Sequence, residues 1–269
     1  MKRLIVTADD FGASREINEA VERAHRDGIL TSASLMIGAP QASDAVERAR
    51  RMPTLAVGLH VALVNARPVS TRREVPNLVG RDGLFDTNLV RAGVRYALSP
   101  RVRRQLEAEI RAQFEAYAAT GLALDHVDGH NHMHVHPIVF SMILEIGRDY
   151  GTAAMRVPSE PLRCSFESVA NALLVGPWAA LMRRRLRRAG VRANDALFGL
   201  NDTGSLDELR VLSILERLPA GLSELYLHPA SHGTGYARKE ELEALLSARV
   251  RARIDARGIR LARYGDAPS

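Results

Sequence analysis

Short β-like apolar runs alternate with helix-period patterns along nearly all of this 269-residue chain, and that alternation is the signature of a parallel sheet joined by crossover helices. Strand candidates cover residues 3–8, 32–38, 55–63, 123–127, 153–157, 196–200 and 224–227. Between the first two, Ile17, Ala20, Val21 and Ala24 recur at helical spacing, and Gly28 supplies a stop. Further helices are expected over 42–51, 101–120 and 137–150. Ser205-Leu206-Asp207-Glu208 reads as a capping box opening a helix whose apolar face carries Val211, Ile214, Leu215 and Leu218. Seven strands in alternation over this length favour a β/α barrel over an open sheet. The length suits one large domain with a substantial core. The rhythm breaks at 65–100, read as a lid-like insertion over one end, and again at 166–192.

No apolar stretch approaches the ~20 residues needed to span a bilayer. The first apolar run is cut short by Asp9 and Asp10, so it does not read as a secretory signal. A single cysteine, Cys164, leaves no internal disulfide and suits a reducing compartment, and a cytoplasmic location is expected. The net charge of +6, from 37 basic and 31 acidic residues, is a modest excess. Aromatic residues make up only 5% and do not interleave with the arginines, which argues against nucleic-acid binding. Nearly the whole excess sits in Arg183-Arg184-Arg185-Leu186-Arg187-Arg188, preceded by an apolar stretch, 169–182, that contains Trp178 and has Gly176-Pro177 as its only strong breaker. Two readings stay open. The 169–188 segment is either a membrane-surface element with an interfacial Trp and a polybasic end, or a core-facing helix followed by a solvated basic one.

The chemistry-bearing residues gather where these strand candidates end. In Thr7-Ala8-Asp9-Asp10-Phe11-Gly12, two adjacent carboxylates stand where the run Leu4-Ile5-Val6 gives way to a helix-starting loop. Side chains alternate along a strand, so the two should point differently, one free to hold a metal while its neighbour handles a proton. His60 falls late in the third candidate, where an apolar residue would be usual. The tract from His126 through Asp128 and His130 to His132, His134 and His136 holds five of the nine histidines, whose even positions share a face if the chain is extended. One metal cannot use them all, so some act around the site or not at all. Asp10, His60 and one histidine of the tract make a two-imidazole, one-carboxylate set of the kind that holds a divalent ion with positions open for water and substrate. Arg156 ends the fifth candidate and can pair with a carboxylate, holding it ionised and oriented. His228 ends the seventh and can protonate a leaving group.

Ala8-Asp9-Asp10-Phe11-Gly12, Gly28-Ile29-Leu30-Thr31-Ser32, Gly58-Leu59-His60, the Asp128-x-His130-x-His132-x-His134 tract and Leu227-His228-Pro229 together resemble the YdjC-like carbohydrate deacetylases. The resemblance implies an irregular α/β fold, a seven-stranded β/α barrel of the glycoside hydrolase/deacetylase type, that removes acetyl groups from N-acetylated sugars with a divalent metal. Carried over by position, it implies Asp10, His60 and His130 as metal ligands, Asp9 as base and His228 as acid. Arg156 as partner of Asp9 follows by analogy with the wider deacetylase group. Residues 1–16, Arg111 to Ala116 and Ile143 to Gly151 are similar to deacetylases associated with hopanoid biosynthesis, which act on an N-acetylglucosaminyl group of a bacterial triterpenoid lipid.

The expected reaction is therefore metal-assisted amide hydrolysis that releases acetate. The two imidazoles suit zinc, whereas the resemblance also admits magnesium. An N-acetylated sugar or glycolipid is the implied substrate. A place at the inner face of an anionic membrane, through 169–188, would suit a lipid-borne sugar. The oligomeric state, with a homodimer among the options, and the roles of His126, His132, His134 and His136 stay open. The alternatives are a deacetylase of soluble oligosaccharides such as chitobiose, a metal-dependent phosphoesterase, for which no Gly-rich phosphate loop is present, and a nucleic-acid-binding protein suggested by charge alone.

Overall fold

The structure, a computed structural model, describes residues 1–161, 166–232 and 238–266, with the side chains of 166–175 outside that description. Its elements follow the alternation in the sequence: β1 (Lys2–Phe11), α1 (Arg15–Asp27), β2 (Ser32–Leu35), α2 (Ala42–Arg50), β3 (Ala56–Val61), α3 (Leu89–Leu98), α4 (Pro100–Ala119), β4 (Val127–Gly129), α5 (Pro137–Asp149), α6 (Phe166–Arg188), β5 (Ala196–Phe198), α7 (Glu208–Arg217), β6 (Gly221–Leu227), α8 (Arg238–Leu246), α9 (Ala248–Ala256) and β7 (Ile259–Leu261). The strands are parallel, in the order β4-β3-β2-β1-β6-β5. Between the two ends, parallel bridges Val127↔Met155 and Ala154↔Arg192 let residues 153–157 span the gap. The sheet thus curls into an irregular β/α barrel.

Ten-residue β1 is the central stave, because its apolar residues face helices on the outside while its alternate residues face the barrel interior. On one side it pairs with β6 from Lys2↔Gly221 to Ala8↔Leu227. On the other, β7 pairs with Lys2 to Leu4, and β2 takes over from Thr7. The outward residues Leu4, Val6, Ala8, Leu225 and Leu227 join the main core beneath the helices. Ile5, Ala154, Leu222, Ala262 and Tyr264 form a separate apolar cluster. Their places in the strands put them inside, at the amino ends.

Several sequence expectations shift by a few residues. The first strand runs on to Phe11, so Asp9 and Asp10 lie within it, and α1 is capped by Ser14, whose side chain accepts from Ile17 N at 3.3 Å. The fourth strand is not 123–127 but Val127–Gly129, which puts Asp128 in the strand instead of after it. The fifth candidate is a pair of isolated bridges, and β7 lies outside the strand candidates because a three-residue strand with Arg260 at its centre carries too little apolar pattern. The cap of α7 is Asp207, accepting from Arg210 N at 2.9 Å, and not Ser205 of the expected capping box. Gly176-Pro177 does not break its helix: α6 runs through both residues.

The 65–100 segment packs along α4. Tyr96 donates to Leu63 O at 2.6 Å, buried Glu109 accepts from the backbone of Val69 and Ser70 at 2.9 Å each, and Val75, Leu78 and Phe85 are buried. Trp178 of α6 is half-buried, donates to Val135 O at 2.8 Å and meets Phe140 edge-on, so its indole N–H is satisfied within the protein. Arg185 stacks over Phe140, and Arg183 donates to the carbonyls of Asn194 and Asp195, just before β5 begins. The polybasic end therefore lies at the amino ends of the strands. Cys164 and the side chains of Val169 to Val175 lie outside the described residues.

Inside the barrel, His126 is fully buried against Gly58. A Cβ at position 58 would run into the imidazole, which stacks on Tyr264 and is tied to Ser34 and Asp125. Gly58→Ala is expected to lower unfolding stability by about 1–3 kcal/mol through overpacking, read by urea denaturation. Unchanged stability would mean that the ring has room to yield.

Candidate active site

Asp9 and Asp10 owe their separate directions to a bulge. Ala8 pairs with Ala33 and Phe11 with Leu35, so one extra residue is inserted into β1 at the two aspartates. Asp10 takes a left-handed backbone, φ 64°, which is costly for a residue with a Cβ and turns its carboxylate away from that of Asp9. The simple alternation expected from sequence is thus replaced by a stronger device.

Asp9 points inward to Arg156. The guanidinium is fully buried and grips Asp9 through both terminal nitrogens, Nη1 to Oδ2 at 2.7 Å and Nη2 to Oδ1 at 2.9 Å. Arg156 also donates to Glu224 from Nε (3.1 Å) and Nη2 (2.9 Å), and its Nη1 lies 2.7 Å from Asp128 Oδ2. Burial disfavours its charge, but Asp128, Asp9 and Glu224 override that and hold its pKa well above the ordinary value. Glu224 in turn accepts from Thr7 and Tyr264, both at 2.7 Å.

Asp10 points to the mouth. Its Oδ1 is buried without a hydrogen-bond donor, 2.9 Å from His130 Nδ1 and 3.7 Å from His60 Nε2. The ligand atoms of Asp10, His60 and His130 all lie within 4.8 Å of one another. His60 spends its other nitrogen on Asp128 Oδ1 at 2.7 Å, which fixes the ring and leaves Nε2 facing Asp10, as in metal-bound histidines steadied by a carboxylate. An orphaned carboxylate oxygen with two imidazoles converging on it fits a divalent transition ion. Asp9, His60 and Asp128 also lie within 4.8 Å, but Arg156 already bridges those two carboxylates and fills the cation's place.

The field of these groups is legible in their titration. Burial alone would lower the pKa of His60, yet the charges of Asp128, Asp9 and Asp10 with the Asp128 hydrogen bond raise it to about 9. Burial opposes the charge on Asp10, but the close approach and charge of His130, with the charges of His228 and His60, hold it far below the usual range. Asp128 is likewise held well below its ordinary value against burial by Arg156 and His60.

The rest of the histidine tract does not stay extended. Residues His130–Val135 form a 3₁₀ turn in which Asn131 and His132 take left-handed φ of 51° and 54°, so the even histidines scatter instead of sharing a face. His132 Nε2 lies 3.2 Å from Tyr226 Oη, His134 Nε2 donates to Arg156 O at 3.2 Å, and His136 meets Tyr96 edge-on. Burial, with the charges of Arg156 and His60, pushes His134 down to about 4. His126 points away to Ser34 and Asp125. His228 follows β6, partly exposed, beside Tyr226 and near enough for its charge to act on Asp10. Buried Glu241 of α8 fixes the turn by accepting from His228 N at 2.6 Å.

A carboxylate held by an arginine beside an Asp-His-His cluster at the carboxyl ends of parallel strands is an arrangement for hydrolysis. The YdjC-like protein family matches residues 3–256. The chain belongs to that family. A carbohydrate deacetylase of Mus musculus is 33% identical, with 99% of this chain and 95% of that one covered, and the carbohydrate deacetylase of Geobacillus stearothermophilus is 31% identical over 97% and 96%. A solved Enterococcus faecalis V583 protein, proposed to act in cellobiose-phosphate cleavage, superposes with a TM-score of 0.77 at 27% identity, covering 98% of both chains. In this YdjC-like chain the structure brings together Asp9, Asp10, His60, His130, Arg156 and His228 at one end of the barrel. Sequence reading left Asp128, Glu224, Tyr226 and Tyr264 without roles. Their signal is alternation: Thr7 and Asp9, Ser32 and Ser34, and Glu224 and Tyr226 are polar residues two apart within apolar strands, the mark of an inward face.

A protonated His60 cannot ligate. Its folded pKa is raised from 6.5 to about 9, so its contribution to the metal-free protein's stability is complete below pH 6.5 and lost as pH rises through 9. Thermal melts of chelator-treated protein should fall across that window. Loading with Zn²⁺ at pH 7.5 should release about one proton per site, measured by calorimetry in buffers of different ionisation enthalpy. Metal uptake without proton release would exclude His60 as a ligand.

Proposed function

We propose that the chain is a carbohydrate N-deacetylase, a hydrolase that cleaves the amide C–N bond of an N-acetylated sugar and releases acetate. The observation that carries this reading is Asp9, clamped by Arg156, lying next in sequence and across a strand bulge from the Asp10, His60 and His130 cluster. The full-length likeness to carbohydrate deacetylases of Mus musculus and Geobacillus stearothermophilus supports it.

Asp10, His60 and His130 would hold a divalent ion. When bound there, it supplies a Lewis acid for the acetyl carbonyl and makes water easier to ionise. Arg156 fixes the plane of the Asp9 carboxylate through its two-point contact, so the lone pairs not facing the guanidinium are aimed in one direction. Asp9 accepts the proton of the attacking water. His228, across the mouth, donates a proton to the departing amine nitrogen, and the C–N bond breaks to leave acetate and a free amine. Asp128 keeps His60 in register, and Glu224 keeps Arg156 in register.

The finer reading has an N-acetylglucosaminyl hopanoid lipid as acceptor. The stretches behind it, residues 1–16, 111–116 and 143–151, fall largely in β1, α4 and α5, which are scaffold, so they support a lineage more than a sugar contact. The basic end of α6 does not strengthen it: it faces the amino ends of the strands, away from the mouth, and would not present a membrane-borne sugar to Asp9. Acetate release from chitobiose set beside release from the glycolipid separates the two acceptors.

Asp9→Asn should retain bound metal while kcat falls by about 10²- to 10⁴-fold. Asp10→Ala, His60→Ala and His130→Ala should each lose metal on gel filtration as well as turnover. Near-normal acetate release by Asp9→Asn would remove its role as base, and full metal content in the three alanine variants would refute the ligand set.

A further inference from the structure

A helix on the outside of a protein normally gives its polar side to water, and α3 does the reverse. Ala92 and Tyr96 form its buried side. On the opposite side Val90, Val94 and Leu98 recur at i, i+4 and i+8, and they are 76%, 51% and 75% exposed. One exposed aliphatic residue is ordinary, but three in line along a ten-residue helix make a continuous apolar stripe. The stripe stands at the mouth of the barrel. Its segment leaves the carboxyl end of β3, and a Cβ on Gly93 would come within 3.5 Å of the His136 ring, which also meets Tyr96 edge-on. His136 closes the turn that carries His130 to Asp10, so α3 flanks the candidate active site.

The charge around the stripe has one sign. Residues 84–106 contain five arginines and a single carboxylate, Asp86. Asp86 pairs with Arg91 at 2.5 Å and lies 3.8 Å from Arg95. Arg103 donates to the carbonyls of Tyr96 and Ala97, which satisfies N–H groups and brings no countercharge. Arg101 and Arg104, exposed at the start of α4 just past Leu98, form no ion pair among the described residues. An apolar stripe bordered by excess positive charge complements a surface that is anionic outside and apolar beneath. A second copy of the chain fits less well, because a two-fold contact through α3 would set these arginines against those of the other copy.

We propose that α3 docks on an anionic lipid bilayer, lying in the plane of the headgroups with Val90, Val94 and Leu98 turned toward the acyl chains and Arg101 and Arg104 on the phosphates. Ten residues are too few to cross a bilayer and suit a helix that lies on one. Aliphatic burial and charge supply two attractions at once, which is what stable surface binding requires. Docking there sets the barrel's mouth beside the membrane. It would bring a lipid-borne N-acetylated sugar within reach of Asp9, a consequence that rests on the deacetylase reading, whereas the docking itself does not.

The test is co-sedimentation of the full chain with vesicles of phosphatidylglycerol and phosphatidylcholine, beside vesicles of phosphatidylcholine alone. Wild-type protein should bind the anionic vesicles about tenfold or more tighter than the neutral ones. Val94→Glu, and Arg101→Gln combined with Arg104→Gln, should each weaken that binding by about tenfold or more. All three positions are exposed, so the variants are expected to fold, and circular dichroism checks it. Arg187→Gln with Arg188→Gln, exposed at the other end of the barrel, should bind as the wild type does, which separates α3 from a general effect of charge. No sedimentation with anionic vesicles, indifference to Val94→Glu, or an equal loss in the α6 variant would each overturn the docking. So would a wild-type dimer that Val94→Glu splits while vesicles stay unbound, which would give the stripe to a second copy. Acetate release from chitobiose is measured separately, and its absence would count against the deacetylase reading and not against the docking.

Discussion

The buried guanidinium of Arg156 is the interaction on which the rest of this barrel depends. A cation removed from water costs several kcal/mol unless its hydrogens and charge are fully answered. Here the answer comes from Asp9 on β1, Asp128 on β4 and Glu224 on β6, with Arg156 itself on the bridging segment between β4 and β5. One side chain therefore ties together staves that are far apart in sequence. The remaining lone pairs are used as well: Thr7 and Tyr264 serve Glu224, while Ser34 donates to Asp128 at 2.9 Å and His60 engages its other oxygen. The network orients the Asp9 carboxylate as a consequence of being needed to bury the arginine.

That network is not electrically balanced. Asp9, Asp128 and Glu224 outnumber Arg156, while Asp10, a short step toward the mouth, has the guanidinium of Arg238 at 3.6 Å from its Oδ2. Low dielectric around them makes the excess strongly felt. His60 responds by holding a proton up to about pH 9. A divalent ion held by Asp10, His60 and His130 would relieve the same excess and displace that proton, so the pull toward a cation would be a property of the whole buried set and not of three ligands alone. The bulge with a left-handed Asp10 belongs to this economy of charge: it keeps two neighbouring carboxylates from competing for Arg156.

Much of this was legible in the sequence, for reasons that differ by residue. The β/α alternation follows from apolar periodicity, and Gly28 stops α1 as expected because a Cβ there would strike the main chain of Leu245. Asp10, His60, His130, Arg156 and His228 are polar groups at strand ends, which is where pattern and chemistry intersect. Asp128 was misplaced because β4 is only three residues long and His126 precedes it, leaving no apolar run to mark the strand. Glu224 lay inside an apolar strand, visible as an interruption but with no sign of its partner, since Arg156 is 68 residues away. The histidine tract misled for a conformational reason. Left-handed Asn131 and His132 cannot be read from periodicity, and they alone convert a shared face into residues aimed at Asp10, Tyr226, Arg156 and Tyr96.

Polarity inside the barrel rises along the strands. Ile5, Leu222 and Ala154 sit toward their amino ends; two residues on come Thr7, Glu224 and Arg156, and then Asp9 and Tyr226. Each step is an i, i+2 relation, so the gradient follows directly from strand geometry once the inward face is chosen. The apolar base, with Tyr264 inserted from the segment after β7, is what excludes water beneath Arg156 and makes its ion pairs strong enough to matter. A one-residue slip of β1 against β6 would exchange Thr7 and Asp9 for Val6 and Ala8 and leave Arg156 without two of its contacts. The energy that fixes the register of the sheet is thus the same energy that orients the Asp9 carboxylate against Arg156, and fold and site cannot be altered independently along this strand.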